Sequence, residues 1–431
     1  MKQFIINGGN PLKGDVTIGG AKNAALGIIA AATMVPEPVI LYNMPDIRDV
    51  QILLDVLKDI GVKVEYQDKH AVKIDASKFK YKKVDNDELR LMRGSYYLVG
   101  AMLGRFKEAS VLMPGGCNIG NRPIDLHLKG MRALGANCDI DGGSIKATAR
   151  RLTGSAIYLD KVSVGATINI MLAAVLAYGT TTIENAAKEP HVVDVANFLN
   201  SCGAKIKGAG TDYIRIYGVQ SLHSSTYSII PDQIEAGTMM IAAAATKGDV
   251  TLRGIIPKHL EAIAAKLSEM GVNIETGDES VRVSSNSRPK PVHITTLPYP
   301  GFPTDMQSQI CALLATSTGV GYIKETLYDR RFGYVNEFER MGASIVVDNN
   351  LAVVTGVPKL KGARVNTTDM RAGAALVIAG LMAEGTTTID NIEFIERGYE
   401  NLAGKLKALG GDISLVDIPD DDDSLEEKNI I

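Results

Sequence analysis

Six times along the 431 residues a helical pattern stops at a glycine that leads into an apolar strand. The glycines are Gly61, Gly135, Gly203, Gly271, Gly342 and Gly410, separated by 74, 68, 68, 71 and 68 residues. Four residues before each stands a large apolar side chain: Leu57, Met131, Leu199, Leu267, Phe338 and Leu406. One residue before each stands Ile60, Leu134, Cys202, Met270, Met341 or Leu409. That i, i+3 pair marks the buried face of a helix, and the glycine supplies its left-handed stop. A repeat this regular confines the chain to stacked copies of one supersecondary unit, as a single array or as two domains of three.

Each unit carries an earlier helix rich in small residues. The stretches Ala166 to Ala177 and Ala372 to Ala383 are apolar almost all round. A helix without a polar face must be enclosed, so sheets are expected to pack around it. Gly179-Thr180-Thr181-Thr182-Ile183-Glu184-Asn185 and Gly385-Thr386-Thr387-Thr388-Ile389-Asp390-Asn391 repeat one strand almost letter for letter. The unit reads helix, strand, helix, strand, strand, an α/β pattern. Gly142-Gly143 and Asp348-Asn349-Asn350 are expected to turn its closing hairpins. Residues 78–87, 220–228 and 284–303 read as linkers, and 220–228, between units three and four, as the waist. The last dozen residues, with Asp420 to Asp423 and Glu426-Glu427, read as a disordered acidic tail.

Composition excludes several classes. A net charge of -3 offers no basic surplus for nucleic acid. No apolar run reaches the roughly 18 residues of a membrane helix, and the N-terminus shows no secretory pattern. The cysteines, Cys117, Cys138, Cys202 and Cys311, lie far apart without C-x-x-C, and no histidine pair has zinc-binding spacing. A reduced, cytoplasmic protein without metal is the expectation.

Chemistry is concentrated between Met113 and Arg132. Pro114, Gly115, Gly116 and Gly120 form a strongly bent loop around Cys117. Pro123 then opens a helix with Ile124, Leu128 and Met131 on one face, placing Arg122 at its positive end. A thiol beside an anion site is one reading; a cysteine buried in a glycine turn is the other, and exposure decides between them. Lys22, Arg93 and Arg371 open the first, second and sixth small-residue helices. Each reads alone as a solvated helix start, and together as cations converging on shared ground. Asp305, just before the fifth such helix, reads either as a cap or as a placed carboxylate. Arg330, Arg331 and Arg397 add loop cations. A lysine and several arginines around a thiol loop suit a small, multiply charged anion.

These motifs resemble the UDP-N-acetylglucosamine 1-carboxyvinyltransferases, within the enolpyruvyl transferase family. The resemblance covers residues 1 to about 418 and rests on Gly20-Ala21-Lys22-Asn23-Ala24, residues 114–123, Phe302-Pro303-Thr304-Asp305-Met306-Gln307, Arg331-Phe332 and Arg397-Gly398-Tyr399-Glu400. It implies two inside-out α/β barrel domains, each of three repeated units with buried central helices. Residues 22–230 would form the first domain, with the Cys117 loop, and 1–21 with 231–418 the second, leaving 419–431 as the tail.

The family's reaction joins the enolpyruvyl group of phosphoenolpyruvate to the 3′-hydroxyl of UDP-N-acetylglucosamine and releases phosphate, the first committed step of peptidoglycan synthesis. By resemblance Cys117 is the proton donor, Asp305 takes the hydroxyl proton, and Lys22, Arg122 and Arg397 hold phosphoenolpyruvate. Asn23 and Arg93 would touch the sugar nucleotide. Arg122, Pro123, Ile124, Asp125 and Leu126, with Lys161, Ser163, Val164, Gly165 and Leu327, match the nucleotide segments. Arg331 and Arg371 complete the cationic lining. No cofactor is implied. Gly27 and Arg330 depart from the family pattern without removing a catalytic group. The rival readings are a 3-phosphoshikimate 1-carboxyvinyltransferase, which does not use the Cys117 loop, and a non-catalytic sugar-nucleotide sensor. Because the cations are divided between the halves, an open free form that closes on the sugar nucleotide is expected, with the Cys117 loop as its lid.

Overall fold

The computed structural model describes residues 2–113 and 124–417. All six repeat glycines take positive φ, from 86° to 100°, directly after the outer helices they terminate. Those helices are Arg48–Asp59, Asp125–Ala133, Pro190–Ser201, Glu261–Glu269, Val335–Arg340 and Leu402–Ala408. Each packs its apolar face against a unit whose axis is a second, enclosed helix. The central helices are α1 (Lys22–Ala32), α2 (Tyr97–Phe106), α3 (Val164–Val175), α4 (Gln233–Ala245), α5 (Gln307–Leu314) and α6 (Met370–Met382). Apart from residues at their ends such as Val164, Gly165 and Ala245, their alanines, glycines and aliphatic residues are buried, as their sequence requires.

Small residues set how closely these helices cross. A Cβ on Gly100 of α2 would lie 2.4 Å from the Asn169 carbonyl oxygen of α3. One on Gly27 of α1 would lie 2.6 Å from Val195 of the helix Pro190–Ser201. Forcing a methyl into such a contact costs about 1–3 kcal/mol.

Six sheets wrap the helices, five of four strands and one of three among the described residues. Most pairing is antiparallel, and each four-stranded sheet has one parallel pair. Ala156–Tyr158, α3 and Thr180–Glu184 show the cause: a strand, a buried crossover helix and a parallel strand. Gly142 and Gly143, both at positive φ, turn the Asp141–Ser144 hairpin, and Asn349 does so between Asp348 and Leu351. Thr180–Glu184 and Thr386–Asp390 follow glycines at φ 89° and 87° and precede asparagines at φ 57°, so the repeated sequence gives a repeated backbone.

Two hydrophobic cores result. One gathers residues from Ala21 to Ile229, the other Phe4 to Ile18 together with Ile234 to Ile413. The chain passes between them twice, side by side. Gly20 pairs with Pro231, and the Asp232 carboxylate caps α4 while accepting from the Lys22 backbone N–H that opens α1, at 2.9 Å. Gly20 is required there, since a Cβ would overlap the Asn43 carbonyl. The expected waist at 220–228 is displaced. Thr226–Ser228 instead completes the first sheet, parallel to Val39–Tyr42, and the crossing falls at 230–232. The strand's exposed Thr226 and Ser228 make it read as a linker, while Tyr227 anchors it by donating its hydroxyl to Asp194 Oδ1 at 2.6 Å and packing its ring against Phe198. Among the described residues no helix is long and apolar enough to cross a membrane.

Candidate active site

The N-termini of α1 and α6, one from each half, face a common space, and with them the positive ends of two helix dipoles. Lys22 is the first residue of α1. Its Nζ lies 2.7 Å from Asp49 Oδ2 and 3.4 Å from the sulfur of Met370, the first residue of α6. Asp49, in the first turn of Arg48–Asp59, also receives Arg397 Nε at 2.9 Å from the other half. One buried carboxylate therefore binds two cations from opposite halves. Burial pulls Lys22 below the ordinary lysine range; Asp49 opposes that shift, and the nearby Arg371 and Arg397 reinforce it. Burial works to raise Asp49, but Lys22 and Arg397 outweigh it and hold the carboxyl below its usual range.

A second ion cluster lies in the other half. Asp305 occupies the short turn Thr304–Met306 before α5. Its Oδ1 is 3.1 Å from Arg331 Nη2, and its Oδ2 lies 3.0 and 3.2 Å from Arg371 Nη2 and Nε. The cap positions of that turn and of α5 are Pro303 and Met306, without side-chain cap bonds, so Asp305 serves as a carboxylate and not as a cap. Arg331 and Arg371 are buried, which works to lower them, yet both are held above the ordinary arginine value, Arg331 chiefly by Asp305 and Arg371 by Tyr399 and then Asp305. Arg371 Nη1 is buried without a hydrogen-bond partner among the described residues, a donor left over for an anion.

Glu325, fully enclosed, ties this cluster together. It accepts from Thr296 and Thr304 hydroxyls at 2.8 Å and from the Leu327 N–H at 2.8 Å, fixing the Asp305 turn relative to Leu327. Leu327 itself is exposed.

The two segments that the resemblance assigns to the nucleotide, 124–126 and 161–165, meet at His127. Ile124 is the cap residue of Asp125–Ala133, and Ser163 caps α3 by accepting from the Ala166 N–H at 3.3 Å. His127 packs against Gly165, where a Cβ would come within 2.9 Å of the ring, and against Tyr96, with centroids 5.7 Å apart. Its Nδ1 is 2.9 Å from Asn169 Nδ2, and Asn169 Oδ1 accepts from Gly100 N–H at 2.8 Å. An amide donor on Nδ1 requires the neutral ring, and burial accordingly pushes the imidazole down to about 4. His127 thus joins residues 124–126 to residues 161–165.

Lys22, Arg371 and Arg331 are accordingly not solvated helix or loop ends. Asn23 follows Lys22 on α1, half-buried. Cys117, Arg122 and Pro123 lie outside the described residues, as does the side chain of Arg93. Asp49, Glu325 and His127 carried no sequence signal: a carboxylate in a helix's first turn reads as dipole compensation, and a glutamate after a strand as a surface charge. Among the described residues no group of three or more His, Cys, Asp or Glu could hold a metal ion.

The chain is similar to known proteins over nearly its whole length. Residues 6–406 match the family model described as EPSP synthase (3-phosphoshikimate 1-carboxyvinyltransferase). UDP-N-acetylglucosamine 1-carboxyvinyltransferase 3 of Caldanaerobacter subterraneus is 54% identical over 413 residues, 96% of this chain and 99% of its own length. The chain belongs to the enolpyruvyl transferase family. Within that family UDP-N-acetylglucosamine 1-carboxyvinyltransferase 2 of Clostridium acetobutylicum is 53% identical over 414 residues, again 96% of this chain and 99% of the relative. The solved enolpyruvyl transferase NikO of Streptomyces tendae superposes with a TM-score of 0.86 at 29% identity, covering 97% of this chain and 99% of that one. EPSP synthase of Acinetobacter baumannii, with a TM-score of 0.73 at 19% identity over 97% of this chain and 100% of its own, shares the family fold.

Proposed function

We propose that the enzyme transfers the enolpyruvyl group of phosphoenolpyruvate to the 3′-hydroxyl of UDP-N-acetylglucosamine, with release of phosphate, in the cytoplasmic phase of peptidoglycan synthesis. The supporting observation is the convergence of Lys22, Arg331, Arg371 and Arg397, drawn from both halves, around Asp49 and Asp305 at the ends of two central helices. Phosphoenolpyruvate carries a phosphate and a carboxylate on one small carbon frame. A concave set of fixed cations recognises it and stabilises charge as the reaction proceeds.

In this reading residues 22–230 and residues 1–21 with 231–418 act as two domains that close on the substrates. The nucleotide lies along Arg122 to Leu126, Lys161 to Gly165 and Leu327, with Asn23 and Arg93 near the sugar. Asp305 accepts the proton of the 3′-hydroxyl as that oxygen bonds to C2 of phosphoenolpyruvate. Cys117 delivers a proton to C3. Lys22, Arg122 and Arg397 hold the phosphate and carboxylate, phosphate leaves C2, and loss of a proton from C3 restores the double bond. Relatives named for the UDP-N-acetylglucosamine reaction at 53–54% identity favour that acceptor over shikimate 3-phosphate.

The test is phosphate release with phosphoenolpyruvate and each acceptor in turn. Turnover with UDP-N-acetylglucosamine and none with shikimate 3-phosphate is expected. The reverse preference refutes the assignment, and binding of the sugar nucleotide without turnover identifies a sensor.

A further inference from the structure

Behind the Asp305 cluster lies a buried polar network built from one residue of each repeat in the second half. Thr238 comes from α4, Gln309 from α5, and Tyr399 from the segment after the short helix Glu393–Glu396. Thr238 Oγ1 donates to the Ile234 carbonyl at 2.7 Å, which leaves its lone pairs for other donors. Tyr399 OH is 3.0 Å away, and Gln309 Nε2 is 3.3 Å away. Gln309 Nε2 also reaches Tyr399 OH at 3.2 Å and the main-chain oxygen of Asp305 at 3.0 Å. The Ser308 hydroxyl donates to Gln309 Oε1 at 2.9 Å, so the amide's orientation follows from its partners. On its other side the Tyr399 ring lies 5.3 Å from the Arg371 guanidinium, the group that pairs with Asp305 Oδ2.

The network therefore grips Asp305 twice, through its carbonyl by way of Gln309 and through its carboxylate by way of Arg371. We infer that Tyr399 is a positioning residue for the Asp305 carboxylate, acting through Gln309 and Arg371. The inference rests on the proposed role of Asp305 as the acceptor of the hydroxyl proton. A hydrophobic core needs no such network, because each buried polar group must find a partner or be left desolvated and unpaired. What the network adds is a fixed placement of one turn, to which reaction rates are far more sensitive than binding is.

Tyr399→Phe keeps the ring over Arg371 and removes only the hydroxyl. The expected result is a fall in kcat of about tenfold with KM for both substrates within about twofold, as a misplaced reacting group gives. The acid limb of kcat, read as the ionisation of Asp305 facing Arg331, Arg371 and His191, should move with it. Thr238→Val should reproduce the loss, and Thr238→Ser, which retains the hydroxyl, should restore it. Wild-type kcat and an unmoved pH profile in a folded Tyr399→Phe overturn the inference. Carbon-13 titration of the Asp305 carboxyl in the same variants needs no turnover. A displaced titration upholds the positioning role and an unchanged one overturns it, whereas absence of phosphate release from the wild type counts against the proposed function.

Discussion

Asp49→Asn isolates the electrostatics of the site. Asp49 Oδ2 is 2.7 Å from Lys22 Nζ, and both groups are buried. At an effective dielectric of about 20, that attraction amounts to about 6 kcal/mol. Asparagine keeps the shape and one hydrogen-bond acceptor but loses the charge. Losing that attraction leaves burial and the neighbouring arginines unopposed, so the Lys22 pKa falls further. The sign follows from the surroundings: burial, Arg371 and Arg397 all press Lys22 downward, and Asp49 is what opposes them. Without it, Lys22 gives up its proton at a lower pH and ceases to hold an anion. The assay is kcat/KM for phosphoenolpyruvate from pH 6 to 10, with urea unfolding as the control for folding. The alkaline limb should move to lower pH while the affinity for UDP-N-acetylglucosamine changes little. An alkaline limb that stays in place in a folded variant would refute the claim that Asp49 keeps Lys22 charged.

Asp305→Ala leaves Arg331 and Arg371 buried beside an empty position. Stability should fall by about 3–5 kcal/mol and recover in part on adding inorganic phosphate; an unchanged urea midpoint contradicts this. His127 titrates near 4 in the folded chain, below its unfolded value, so the unfolded chain binds the proton first. Stability is therefore full above about pH 6.5 and declines as pH falls toward 4, and His127→Gln should flatten that decline by about 1–2 kcal/mol, after allowance for a half-buried ring. Paired urea titrations at pH 4.5 and 7.5 with equal slopes for the two proteins would exclude this. Burial raises the Cys138 thiol and pushes Cys202 and Cys311 up to about 11 and 12, so brief iodoacetamide treatment at pH 7.5 should modify Cys117 alone. Peptide mass spectrometry finding label on the other three in the folded protein would disprove it.

The repeat was legible in the sequence because it is a local rule. A glycine at positive φ after an i, i+3 apolar pair ends a helix wherever it stands, and Gly61, Gly203 and Gly410 do so alike. The enclosed helices were equally legible, since α3 and α6 offer water no polar face. The cations Lys22, Arg371 and Arg397 could be read as candidates by residue type, but not as a site. Lys22 and Asp49 lie 27 positions apart on different helices, and Asp49 and Arg397 come from opposite halves of the molecule. Their pairing exists only once the two chain passages at Gly20 and Pro231 set the halves side by side. The same holds for Asp305, which in sequence is a helix cap as readily as a carboxylate. Local periodicity fixes what a segment becomes, because its cause lies within one turn of chain. Charge, burial and protonation are set by neighbours distant in sequence, so only the folded structure decides that Lys22 is a buried cation, Asp305 a paired carboxylate and His127 a neutral ring.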